Sequence, residues 1–229
     1  MKKSNVLWYG LLVLVMAACQ APDAVNQEGA GYTYFPLEAG RFTEYEVNEI
    51  RYTVTSPTPK STTYYLKEVC GQPYSGLTGV EQFPIERYKK GTLEANWVLD
   101  SVWTAYRLPD RAVRIENNTA FVKLAFPLVE EGTWNGNLLN TQPEEAYKVH
   151  FEVPFPAQSD FPGSLTVVQR QDSSIVSLYK RHEVYAPGVG LVYKEDTAWE
   201  YCQEPACIGS GKIDTGTRRI IKITKHGVE

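Results

Sequence analysis

Apolar and polar positions alternate with period two along much of the chain. Tyr147, Val149, Phe151 and Val153 alternate with Lys148, His150 and Glu152, which predicts a strand with one buried and one wet face. Further strands are expected over 43–55, 62–70, 82–89, 96–107, 111–116, 119–126, 164–170, 174–185, 189–194 and 197–202. These stretches are rich in Tyr, Val, Thr, Ile and Trp, which suit a pleated, half-buried surface. A terminal strand is less regular: Ile221 and Ile223 share a face with Arg219, whereas Ile220 lies with Lys222 and Thr224. In the first strand Tyr45 and Val47 are odd while Ile50, Tyr52 and Val54 are even, so a β-bulge is expected near Asn48 and Glu49.

Glu116-Asn117-Asn118-Thr119 and Trp134-Asn135-Gly136-Asn137 carry residues that tolerate positive φ and read as turns. After the first nineteen residues nothing repeats at i, i+3, i+4, i+7 for three turns, so helix is minor. About twelve strands on short turns predict an all-β fold. The expected form is a single antiparallel curved sheet, half-barrel or barrel-like, with a sandwich as the alternative.

The start of the chain has a different pattern. Lys2 and Lys3 precede an uncharged run from Val6 to Ala18, which is too short to cross a bilayer core of ~30 Å as a helix. Ala17 and Ala18 then lead into Cys19, the small-residue pattern of a signal peptide cleavage site. Ala-Ala-Cys resembles the lipobox of bacterial lipoproteins, with Met16 where Leu is usual. The resemblance implies cleavage before Cys19 and acylation of Cys19 with palmitate-type chains. It divides the chain into a signal peptide (1–18), a lipidated flexible tether (19–31) and one β domain (32–229). Gln20 stands where an Asp would imply inner-membrane retention, so the resemblance points to the outer membrane without fixing which side the domain faces.

Composition narrows the function. The chain is 43% hydrophobic and 22% charged, which suits a globular domain and not a disordered one. Without Lys2 and Lys3 it has 21 basic and 27 acidic side chains, a charge of −6 that argues against nucleic acid as partner. Beyond Cys19 the cysteines are Cys70, Cys202 and Cys207. Cys202 and Cys207 enclose only QEPA, with Pro205 favouring a turn, so a local disulfide is expected; pairing through Cys70, or three reduced thiols, are the alternatives.

Signatures of catalysis are lacking. His150, His182 and His226 are scattered, without metal-ligand spacing, and no cofactor motif is present. No Ser lies in G-x-S-x-G, and Gly209-Ser210-Gly211-Lys212 lacks the spacing of a phosphate loop. Glu130-Glu131 and Glu144-Glu145 flank turns, where adjacent acids are usually solvated. Asp100-Ser101-Val102 and Asp196-Thr197-Ala198 resemble short O-glycan attachment sites of some bacteria. Trp97, Trp103, Trp134, Trp199, Tyr64, Tyr65, Tyr106 and Tyr193 could line a cavity for an apolar ligand, form a sugar platform, or simply pack the core.

Three segments together resemble uncharacterised β-rich lipoproteins of Gram-negative, Bacteroidetes-type bacteria. They are Tyr34-Phe35-Pro36-Leu37, Phe126-Pro127-Leu128 leading to Trp134-Asn135-Gly136-Asn137, and the run from Tyr185 to Glu195. These are turn-and-strand motifs and assign no catalytic residue. The expectation is an outer-membrane lipoprotein with a non-catalytic β domain in binding or envelope structure, its partners the membrane and an apolar ligand or envelope protein. A lipid carrier and a carbohydrate-active enzyme or carbohydrate-binding module are the alternatives.

Overall fold

The computed structural model describes residues 31–76, 79–151 and 160–229. The signal segment, Cys19 and nearly all of the tether lie outside the described residues.

Thirteen strands form one antiparallel sheet, and no α-helix occurs among the described residues. The first seven strands are β1 (Arg41–Thr53), β2 (Ser56–Cys70), β3 (Tyr74–Ser75), β4 (Glu81–Lys90), β5 (Val98–Leu108), β6 (Arg111–Glu116) and β7 (Thr119–Ala125). The second run is β8 (Thr133–Asn135), β9 (Ala146–His150), β10 (Leu165–Ser173), β11 (Ser177–Ala186), β12 (Gly190–Tyr201) and β13 (Ile213–Val228). Sheet order is β7-β6-β5-β4-β2-β1-β13-β12-β11-β10-β9-β8, with β3 beside β4. The first and last long strands pair along their length, from Arg41 opposite Val228 to Tyr52 opposite Gly216.

The sheet curls until its two edges nearly meet, giving an almost closed barrel and not a sandwich. At the seam Val122 N donates to Gly136 O at 2.9 Å, Trp134 Nε1 to Val122 O at 2.9 Å and Asn140 Nδ2 to Ala120 O at 2.8 Å. These bonds occupy a few of the edge groups that β7 and the segment after β8 would otherwise leave open.

The expected bulge near Asn48 and Glu49 is not there. The β1–β13 register runs unbroken from Tyr45 to Tyr52, and its shift lies between Glu44 and Tyr45. The parity change has another cause. At the height of Glu49 the barrel interior is ionic, so apolar side chains move to the outer face, where Tyr52 meets Trp199 edge-on with ring centroids 6.1 Å apart. Strands expected separately at 189–194 and 197–202 are one continuous strand, β12.

One barrel end is plugged by residues 31–40. A 3-10 turn at Tyr32–Tyr34 carries Phe35 into a core with Phe83, Ile85, Leu124, Phe126 and Leu165. Arg107 Nη1 holds the plug by donating to Tyr32 O at 3.0 Å and Phe35 O at 3.3 Å. Tyr32 donates to Pro109 O, Tyr34 to Gly163 O, and Gly188 N to Thr33 O. Gly31 enters this end with φ +81, and a Cβ there would lie 2.4 Å from Leu128 Cδ1. The β6–β7 turn, with Asn117 and Asn118 at positive φ, belongs to the opposite end.

Candidate functional site

Inward positions on the pleated strands follow from the register, because residues paired across neighbouring strands share a face. Near the plug they are apolar: Cys70 opposite Ile85, Ile85 opposite Trp103. Higher up they are charged. Glu68 on β2 faces Arg87 on β4, and Glu183 on β11 faces Lys194 on β12.

Two linked ionic groups fill the middle of the lumen. Arg87 Nε lies 3.0 Å and Arg114 Nη2 2.6 Å from the Glu68 carboxylate. The Arg87 guanidinium stacks 3.5 Å from the Trp103 ring centroid, and that of Arg114 lies 4.9 Å away. Lys123 reaches Glu183 at 2.7 Å and Glu116 at 3.4 Å, Lys194 reaches Glu183 at 2.9 Å, and Tyr185 donates to Glu183 at 2.6 Å. Burial alone would raise the Glu68, Glu116 and Glu183 carboxyls, but the cations beside them prevail and hold all three below the usual carboxylate range. Lys123 is likewise held protonated against its burial by Glu116 and Glu183. These carboxylates therefore accept hydrogen bonds and carry no proton to deliver near neutral pH.

Above this layer lies a cavity of about 390 Å³. Its wall includes Tyr64, Trp103, Phe121 and Tyr147, with Arg87, Lys89, Arg181 and Arg219 among its charged residues. A smaller cavity of about 120 Å³ lies on the plug side, beside Cys70, Ile85 and Ala105. Lys89 Nζ sits 4.1 Å over the Tyr64 ring, Arg219 pairs with Glu49 at 3.0 Å, and Arg181 pairs with Glu145. Asp196 occupies the register position between Arg181 and Arg219. Of the aromatic residues singled out by sequence, Trp103 and Tyr64 do line this cavity, but they share its wall with ion-paired side chains.

Several residues singled out by sequence lie elsewhere. Trp134 covers the seam, Trp199 meets Tyr52 outside, and Tyr193 stacks on His182 with ring centroids 5.8 Å apart. His150 Nδ1 lies 2.7 Å from Glu131 and 3.4 Å from Glu130, so the strand's polar face brings it to the acidic turn. Lys148 pairs with Glu131 and Phe151 N donates to Glu130, which engages these carboxylates already. Thr197 is buried and donates to Glu195, and Ser101 bonds Asp100 within a strand, poor settings for glycan attachment. Cys202 and Cys207 are bridged, their Cα atoms 5.8 Å apart, while Cys70 is free and buried, its thiol pushed up to about 11 by burial.

Lys123, Glu183 and Arg114 escaped the sequence reading. Their signal was a charge inside an apolar strand, as in AFVKLAF and HEVYA, at the position where alternation demands an inward side chain. No family model, curated protein or solved structure matches the chain.

Proposed function

We propose that the protein is an outer-membrane lipoprotein, anchored through acylated Cys19, whose barrel binds a polar ligand without transforming it. The observation that carries the binding role is the 390 Å³ cavity beyond the plugged end, a volume within the range of small-molecule sites. Its ionic wall favours a polar ligand over a lipid, because burying paired charges against acyl chains would forfeit their hydration without return. Anchoring rests on the Lys-Lys start, the short apolar run and Ala17-Ala18-Cys19. Two or more acyl chains give stable attachment at ~0.8 kcal/mol per buried methylene.

The test has two arms. Fractionation should find the parent in the outer membrane and the Cys19→Ala variant released from it; unchanged membrane association of the variant defeats the anchor. Native mass spectrometry of protein purified from its own membranes should detect a bound polar molecule of small mass. A copurifying phospholipid in the lumen would instead restore the carrier reading.

A protein-docking role is a second reading. Leu99 and Val102 lie on the outer face of β5 and are more than half exposed, as is the neighbouring Val98.

A further inference from the structure

The charges around the upper cavity are arranged unequally. Six basic side chains line it against three acidic ones, Asp100, Glu116 and Asp196. Asp100, 3.9 Å from Arg87, lines the cavity, as does Asp196 in register between Arg181 and Arg219, but the closer partners of the arginines, Glu49, Glu145 and Glu68, stand behind the wall. Exposure follows the same order, with Arg219 at 47% against 17% for Glu49, and Arg181 at 32% against 23% for Glu145. Each guanidinium has five donors, and the carboxylate behind uses only one side. Lys89 is a further cation, with the Tyr64 ring beneath it and no carboxylate in ion-pairing distance among the described residues.

We propose that the lumen takes a small anionic ligand, a carboxylate-, sulfate- or phosphate-bearing molecule, held by Lys89, Arg219 and Arg181 with its body against Tyr64 and Phe121. The proposal rests on reading the lumen as a binding site and names the ligand's chemistry. Wall cations already anchored from behind are preorganised, so less side-chain order is lost when the anion arrives. Phe121 and Tyr64 offer flat apolar area for a ring attached to that anion.

The test compares matched probes, naphthalene-2-sulfonate and neutral naphthalene-2-sulfonamide, by isothermal titration calorimetry. The full chain is used in zwitterionic detergent, with empty micelles as the blank. The sulfonate should bind at one site, roughly tenfold tighter than the sulfonamide, and weaken as salt rises. Lys89→Met, at a solvent-exposed position, should lose roughly tenfold in sulfonate affinity with unchanged circular dichroism, and Arg219→Lys should retain more affinity than Arg219→Met. Glucuronate, glucose 6-sulfate or glucose 6-phosphate should displace the bound sulfonate where glucose does not, which identifies the preferred anion. If the sulfonamide binds as tightly, glucose displaces equally, or Lys89→Met changes nothing, the anion proposal falls while a lumen site stands. If neither probe binds, the lumen reading falls with it.

Discussion

Lys123 on β7 and Glu183 on β11 meet at 2.7 Å across the lumen, although three strands separate theirs around the seam side of the sheet. The pair ties the weakly bonded seam strand to the opposite wall. Both side chains are almost inaccessible, so neither charge can turn to water if the other is removed.

Lys123→Met should therefore destabilise the fold by about 3 kcal/mol, the low end for a broken buried pair because Lys194 still reaches Glu183. Lys123→Met combined with Glu183→Leu should regain at least part of the loss. Urea unfolding of the two variants measures both; a double variant no better than the single would mean that packing, not the stranded carboxylate, sets the cost.

Stability should fall in acid in two stages. His182, on the outer face beside Glu195, has its pKa lowered by burial from 6.5 to about 4. The unfolded chain binds its proton first, so this contribution is complete above pH 6.5 and is lost as pH falls towards 4, up to about 3 kcal/mol. Glu183, Glu116 and Glu68 have depressed pKa values. Their contribution is present above the ordinary carboxylate range and is lost as pH falls below it. His182→Gln should flatten the first stage and leave the second, as read from urea midpoints at pH 7, 5 and 3.5.

Arg107 should control the plug. Arg107→Met removes both hydrogen bonds to the carbonyls of Tyr32 and Phe35. Amide exchange over 31–40 should quicken by roughly tenfold, as about 1–2 kcal/mol of local stability implies, while β1 and β13 keep their protection. Uniform acceleration across the barrel would instead make the plug part of the global folding unit.

Thiol chemistry should separate the cysteines. Cys70 is buried with a raised pKa, so a thiol reagent at pH 8 should label it only after denaturation. Cys202→Ser/Cys207→Ser should lower stability by about 2 kcal/mol, the chain-entropy value for so short a loop, without altering sulfonate binding. Rapid labelling of Cys70 in the native protein would contradict its burial.

Period-two patterning was legible where one face of a strand packs into an apolar cluster, at the plug for β9 and in a second cluster around Val47, Leu66, Val192 and Ile223. Tyr147 and Val149 alternate in sequence and both are buried. Asn117 and Asn118 announced their turn because few other residues accept positive φ. The three-residue strand β8 carries no period to detect. The lumen chemistry was hidden for a different reason. Glu183, Lys123 and Arg114 lie on separate strands, and only the closed sheet brings their charges together. Aromatic residues misled because the same side chains serve the outer face, as Trp199 does, and the lumen, as Trp103 does.

Gly31 leaves the barrel at its stoppered end, so whatever fastens the chain upstream draws that end towards the point of attachment. The cavity, lined by Lys89 and Arg219, therefore lies at the end remote from the one where the upstream chain enters.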